Sequence, residues 1–127
     1  MNNQSAFKKP ERISFQREID CLFKQGNAFI SYPLRVVFLK QKPLSGATVS
    51  VLIGVPKKRV KHAVKRNRMK RLIREAYRLN KTSLIQHVQE KESGLLVAFL
   101  FIGNEGRWKE IEAAMHKALT IMKEKTE

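Results

Sequence analysis

Residues 95–102 read LLVAFLFI, an unbroken apolar stretch that follows Ser93 and Gly94 and ends at Gly103. A strand that is apolar on both of its pleat faces is typical of a position inside a sheet that is covered on both sides. The stretch is far shorter than the ~20 residues that a helix needs to cross a bilayer. The sequence therefore predicts a buried strand here and no membrane span.

Helical periodicity occurs on both sides of this strand. From Trp108 onward, apolar residues at helical spacing predict a closing helix that packs against the sheet: Ile111, Met115, Ala118, Leu119 and Met122. Upstream, a helix is predicted from about Ala63, with an apolar side of Met69, Leu72, Ile73, Ala76 and Leu79. A short helix over residues 83–90 is indicated by Leu84, Ile85 and Val88, so this region holds one helix or a helix pair.

The first third of the chain predicts a helix followed by two strands. Ser14 can cap a helix whose apolar stripe is Phe15, Ile19, Leu22 and Phe23, and Gly26 supplies its stop. Residues 34–40 and 48–55 are rich in β-branched and aromatic side chains, and residues 43–46 between them form a turn signal. These two strands are expected to pair as an antiparallel hairpin, with Val49, Val51, Ile53 and Val55 on one face.

Together these elements predict one α+β domain over residues 1–127, in the order helix, strand, strand, helix or helix pair, strand, helix. The sheet is mixed and the helices pack on it. Residues 1–11 and 124–127 are expected to be loosely ordered.

The positive charge of the chain is concentrated in one segment. Residues 57–81 hold 12 of the 26 Lys and Arg residues and a single acid, Glu75, which gives +11 of the formal +15. On the predicted helix these cations occupy the arc opposite the apolar side: Arg66, Lys70, Arg71, Arg74 and Arg78, with Asn67. Solvated helix faces usually mix charges of both signs. A focused positive field instead suits a polyanion, because each neutralised phosphate releases counterions, so the sequence predicts a nucleic-acid partner.

The sequence argues against a metal-dependent active site in the protein. Asp20 is the only aspartate, and Glu75 is expected to pair with Arg71 or Arg78 on the helix surface. The single cysteine, Cys21, has no zinc spacing, and neither a phosphate loop nor a nucleophile elbow is present. One unpaired cysteine and a start without signal-peptide features predict a cytoplasmic protein.

The basic segment resembles a known family. Lys57-Lys58, Ala63-Val64 and the run RNRMKRLIREAYR at residues 66–78 are similar to the protein subunit of bacterial ribonuclease P, and the resemblance spans about residues 13–123. It implies a ribonucleoprotein endonuclease that removes the 5′ leader of precursor tRNA. The catalytic RNA subunit hydrolyses the phosphodiester with magnesium, held mainly by RNA, while the protein improves substrate binding. It also implies a left-handed crossover in the sheet.

The resemblance assigns two binding surfaces. The RNA subunit is expected to bind a helix face made of Arg66, Asn67, Arg68, Lys70, Arg71 and Arg74. The single-stranded leader is expected in a cleft between the first helix and the sheet, at Ile19, Phe23, Val37, Lys57 and Lys58. Many relatives carry an aromatic residue at the position of Ile19 and some at or near Val37, where this chain has the neighbouring Phe38. The alternative is that Ile19 and Phe23 are core residues.

Two other functions share the charge and fold features. A ribosomal or ribosome-associated RNA-binding protein would give no tRNA-processing defect when depleted. A DNA-architectural protein would place apolar wedges in a groove, and the basic helix shows none. The short apolar stretches predict no membrane association, and no obligate protein partner is evident beside the RNA subunit and precursor tRNA.

Overall fold

The computed structural model describes residues 16–41 and 48–126. The elements in chain order are helix α1 (Gln16–Gln25), strands β1 (Asn27–Ser31), β2 (Leu34–Gln41) and β3 (Val49–Gly54), helix α2 (Ala63–Glu90), strand β4 (Gly94–Phe101) and helix α3 (Trp108–Lys125). This arrangement confirms the predicted α+β class. Ser14, Phe15 and the whole of the predicted turn at residues 43–46 lie outside the described residues.

The sheet has the strand order β1-β2-β4-β3, which makes it mixed. Strands β1 and β2 pair antiparallel, β2 pairs antiparallel with β4, and β3 pairs parallel with β4. The predicted hairpin between residues 34–40 and 48–55 is therefore wrong, because β4 lies between those strands. Strand β2 instead forms its hairpin with β1, which the sequence analysis missed. Helix α2 connects the parallel neighbours β3 and β4, and this is the crossover that the resemblance implies to be left-handed.

Strand β4 is the buried strand that its sequence predicts. One face carries Val97, Phe99 and Phe101 into the main core beneath α2 and α3, where Val49 and Val51 of β3 join them. The opposite face carries Leu96 and Ala98 into a smaller cluster beneath α1. Both sheet faces are thus covered by helices at the centre, which explains why β4 is apolar throughout.

Helix α2 is continuous from Ala63 to Glu90, so the segment holds one helix rather than a pair. No glycine or proline interrupts residues 63–90, and Asn80 donates its side-chain amide to the carbonyl of Ala76 inside the helix. Met69, Ile73 and Ala76 are buried as predicted, but Leu79 is half exposed and Tyr77 takes its place in the core. The apolar side is therefore rotated slightly from the predicted stripe.

Helix α3 buries all five residues of its predicted stripe. It reaches Lys125, and Thr126 is buried, with its hydroxyl donating to the Met122 carbonyl at 2.7 Å. Residues 124 and 125 complete α3, and Thr126 is its C-cap. Residues 1–11 and residue 127 lie outside the described residues, so the loose order expected of both ends stays a prediction. Helix α3 also contacts β1, since the buried Ser31 hydroxyl donates a hydrogen bond to the carbonyl of Ala114 at 2.8 Å.

Candidate RNA interface

The basic face of α2 lies opposite the residues that anchor this helix to the sheet. Met69 and Ile73 are buried against the core, and this orientation sends the cations outward. Of the six residues predicted to bind the RNA subunit, Arg66 and Lys70 are partly buried, and Asn67, Arg68, Arg71 and Arg74 are exposed. All six lie within the first twelve residues of one helix, so the structure presents them as one continuous surface.

Arg66 also has a structural role that the sequence did not reveal. Its Nη1 atom donates to the backbone carbonyl of Lys61 at 2.7 Å and to that of Val60 at 3.1 Å. These carbonyls belong to the loop that joins β3 to α2. One side of the Arg66 guanidinium is therefore used to hold this loop, while its other nitrogens remain available to phosphate.

Two features reduce the charge that residues 57–81 offer to a partner. Glu75 pairs with Arg78, as the sequence analysis proposed, through hydrogen bonds from Nε and Nη2 of Arg78. These bonds lower the pKa of the Glu75 carboxyl and raise the pKa of Arg78. Lys81 is buried and faces the protein interior. The strongest positive surface is therefore the first half of α2 and the loop before it.

The predicted leader surface lies on the sheet face that α1 covers. Leu22 is fully buried against Val37, Leu96 and Ala98, and Ile19 packs on the edge of the same cluster. Phe23 follows on the same side of α1 but is 45% exposed. The structure therefore places Phe23 at the surface rather than in the core, whereas Ile19 and Val37 line the apolar support beneath α1.

The sheet register shows which of the two neighbouring residues in β2 faces α1. Val37 belongs to the cluster under α1, while Phe38 is buried on the opposite face and packs edge-on against Phe29. Val37 is only 3% exposed, so in this arrangement it supports α1 from below. Phe38 does not take part in the α1 surface.

Lys57 and Lys58 lie in an exposed turn just after β3. Strand β3 leads to this turn directly from the α1 cluster, because Leu52 packs on that cluster and Gly54 follows two residues later on the same pleat face.

Two further residues extend the surface beside α1. In the row of the sheet that contains Gly54, Gly54 aligns with Leu100, Leu100 with Arg35, and Arg35 with Ile30. Arg35 and Ile30 are exposed, and they extend the surface beside α1. Neither residue was predicted from the sequence, since the face on which they lie follows only from the β1–β2 pairing.

Neither a metal-ligand cluster nor a membrane-spanning helix is found among the described residues. Within residues 16–41 and 48–126, no three His, Cys, Asp or Glu side chains come together as metal ligands. None of the helices in this part of the chain is long and apolar enough to span a bilayer. Cys21 is a free, partly buried thiol on α1.

Comparisons with known proteins agree on one family. The family model described as Ribonuclease P matches residues 7–123. The ribonuclease P protein component of Porphyromonas gingivalis is 45% identical over 112 residues, covering 87% of this chain and 82% of the relative. That of Chlorobium phaeobacteroides is 34% identical over 128 residues, covering 93% of this chain and 86% of the relative.

Solved structures show the same fold. A mutant RNase P protein of Staphylococcus aureus with defective mRNA degradation activity superposes with a TM-score of 0.72, at 21% identity and 94% coverage of both chains. The RNase P protein of Thermotoga maritima gives a TM-score of 0.55, at 25% identity and 91% coverage of both chains. The family model, the curated relatives and the fold lead to one conclusion: the chain belongs to the ribonuclease P protein family.

Proposed function

We propose that this chain is the protein subunit of a ribonuclease P ribonucleoprotein, binding the catalytic RNA subunit and the 5′ leader of precursor tRNA. The single observation that carries this proposal is the continuous basic face on the first half of α2. Its exposed guanidinium groups and its amide can bind phosphate oxygens, which suits recognition of RNA shape better than reading of sequence. Family membership supplies the reaction, removal of the 5′ leader.

In this proposal the chemistry of cleavage belongs to the RNA subunit. Magnesium, held mainly by RNA, would assist hydrolysis of the phosphodiester. Hard divalent cations need converging oxygen ligands, and among the described residues no three His, Cys, Asp or Glu side chains come together. The protein residues would neutralise phosphates and hold the substrate in register.

The surface beside α1 is proposed to bind the single-stranded leader. Phe23 exposes an aromatic face on which a base can stack, and Lys57 and Lys58 can reach backbone phosphates. Ile19 and Val37 would act mainly by supporting α1. Because only precursor tRNA has a leader, this surface would allow the protein to favour substrate over product.

The proposal is tested by cleavage of a precursor tRNA by the RNA subunit at low magnesium, with and without this protein. We expect the protein to restore site-specific 5′ cleavage, and we expect no cleavage by RNA-free protein alone. If the protein leaves the rate unchanged at every magnesium concentration, the proposal is wrong, and a ribosome-associated RNA-binding role becomes the better reading. Leader removal by protein that is free of RNA would place catalysis in the protein instead.

A further inference from the structure

A cavity of about 480 Å³ lies between the first turns of α2 and α3, at the edge of the basic face. Its apolar lining comes from Val60 and Met69, which are 5% and 6% exposed. The volume is within the range of ~300–1,000 Å³ that is usual for small-ligand sites. None of the sequence motifs described above predicts it, because four of its nine lining residues come from the β4–α3 loop.

Helices α2 and α3 run in the same direction, which gives this cavity a positive field. At one end of the pair, Arg68 of α2 and Glu110 of α3 both line the cavity. Farther along both helices, Lys123 of α3 donates to the Ser83 hydroxyl of α2 at 2.6 Å. Both helix dipoles therefore direct their positive ends toward the cavity. In the described structure neither N-cap residue, His62 or Arg107, makes a side-chain capping hydrogen bond.

Charged side chains of both signs line the cavity without pairing to each other. Three are cations, Lys65, Arg68 and Arg107, and two are carboxylates, Glu105 and Glu110. Among the described residues no ion pair joins any of these five groups. Opposite charges that share a cavity but remain unpaired are available to the complementary groups of a ligand.

A bare phosphate does not explain this set of residues. Phosphate would be attracted by the three cations but repelled by the two carboxylates. A ligand that uses the whole lining needs an anionic group, an apolar planar part and N–H donors for the carboxylates. A nucleotide has all three, and among the four RNA bases guanine offers two adjacent N–H donors on its Watson–Crick edge, which a carboxylate can accept together.

We propose that this cavity binds one unpaired guanine nucleotide of the RNA partner, an inference that rests on the proposed function. The phosphate would contact Lys65, Arg68 and Arg107, and the base would lie against Val60 and Met69. Glu105 or Glu110 would accept the hydrogen bonds of N1 and the exocyclic N2 amino group. The cavity thereby adds a base-selective contact beside a face that otherwise contacts phosphates.

Gly106 helps to define the cavity wall. A Cβ atom at this position would lie 2.7 Å from the Met69 terminal methyl and 3.1 Å from Ile111 Cδ1. A side chain there would press on the apolar floor, so the glycine lets the loop backbone approach α2 closely. The Gly106 amide and the Met69 methyl are consequently well-placed reporters for a bound base.

The test is an NMR titration of the full chain with 5′-GMP, 5′-AMP, 5′-CMP, 5′-UMP and inorganic phosphate, following the Gly106 amide and the Met69 methyl. We expect GMP to shift both signals and to bind at least roughly fivefold more tightly than the other three nucleotides, given the usual value of a bidentate base contact. Equal binding of GMP and AMP, equal binding of GMP and phosphate, or no shift at either reporter would overturn the proposal.

The matched variants separate recognition of the base from general charge. Glu105→Gln with Glu110→Gln should abolish the preference for GMP over AMP while phosphate binding is kept or strengthened. Glu112→Gln with Glu124→Gln changes the net charge equally on α3, outside the cavity lining, and should leave the preference intact. A GMP preference that persists in the Glu105/Glu110 variant would refute the assigned contacts.

Precursor cleavage at low magnesium, measured on the same unchanged protein, distinguishes this inference from the proposed function. If the protein stimulates cleavage but does not prefer GMP, only the guanine site is wrong. If it prefers GMP but does not stimulate cleavage, the ribonuclease P role is wrong and the guanine site stands as a property of another RNA-binding protein.

Discussion

The guanidinium of Arg66 donates to the backbone carbonyl of Lys61 at 2.7 Å, which joins the first turns of α2 to the loop after β3. This loop carries Lys57 and Lys58, and it also places Val60 at the floor of the cavity. A residue of the basic face of α2 thus also holds the loop that carries the proposed leader-binding lysines. The two surfaces are mechanically connected through one side chain.

This connection predicts different effects for Arg66 and Arg68, the two arginines that flank Asn67. Arg66→Ala should loosen residues 57–62 and lower the free energy of unfolding by about 1 kcal/mol, the usual value of a partly exposed hydrogen bond. Arg68→Ala, whose side chain is exposed, should leave stability unchanged. Amide hydrogen exchange of the loop and thermal unfolding measure both effects. If exchange in residues 57–62 is the same in the two variants, Arg66 does not hold the loop.

Assembly with the RNA subunit should depend on where a charge lies rather than on how many charges there are. Replacing both Arg66 and Arg68 by Ala should weaken RNA-subunit binding by a few kcal/mol in total, at ~1–3 kcal/mol for each charge-assisted contact. The control replaces Lys117 and Lys125, two exposed cations of α3, by Ala. Each lost phosphate contact should also reduce the slope of log affinity against log salt by somewhat less than ~1. Equal losses in the two double variants would indicate diffuse attraction without a docking face.

The sequence predicted those elements whose buried residues follow from the pattern within a single segment of the chain. The stripe of α3, the start of α2 near Ala63 and the apolar strand β4 follow from periodicity alone. The pairing of strands does not, because it depends on contacts between distant parts of the chain. Strands β2 and β3 are neighbours in sequence, yet β4, which follows the 28-residue helix α2, lies between them.

Short elements were the other source of error. Strand β1 has five residues and directly follows Gly26, which the sequence analysis took only as the end of α1. A Cβ at Gly26 would clash with the Leu22 carbonyl oxygen, so the glycine is needed where α1 turns straight into β1. Missing β1 also hid the exposed Ile30 and Arg35. The basic face of α2 was identifiable from sequence, but the cavity beside it was not, since the β4–α3 loop carries no helical or strand pattern.

The exposed ring of Phe23 gives the most direct test of the leader surface. In the assembled enzyme, Phe23→Ala should weaken binding of precursor tRNA by ~1–3 kcal/mol, the usual value of stacking one base on an aromatic ring. Mature tRNA, which has no leader, should bind nearly as before. The matched control is Leu79→Ala, since Leu79 is 50% exposed on α2, whereas Phe23 is 45% exposed on α1.

Two measurements decide how the Phe23 result is read. Equilibrium binding of both tRNA forms gives the ratio of the affinities for precursor and mature tRNA. Thermal unfolding reports any loss of packing. Because Phe23 is half exposed, we expect the melting temperature of the Phe23→Ala variant to fall little. Leu22→Ala, in contrast, should lower the free energy of unfolding by ~2–5 kcal/mol, because it opens a cavity in the cluster beneath α1. A large fall for Phe23→Ala would show that the ring belongs to the core, and an equal loss for the two tRNAs would remove the leader from its role.

Lys57 and Lys58 should contribute to the same discrimination by a different force. Their ammonium groups are exposed in the turn after β3 and would contact leader phosphates, so their effect is electrostatic. Replacing both by Ala should weaken precursor tRNA binding more than mature tRNA binding. The loss should shrink as salt is raised, because the free-energy gain from each released counterion falls with the bulk salt concentration and the wild-type protein releases more counterions than the variant. The loss caused by Phe23→Ala should change much less with salt, since stacking does not release counterions. Salt titrations of both variants with both tRNA forms provide the comparison. If the loss of precursor tRNA affinity in the lysine variant does not depend on salt, these residues act through the fold of the loop.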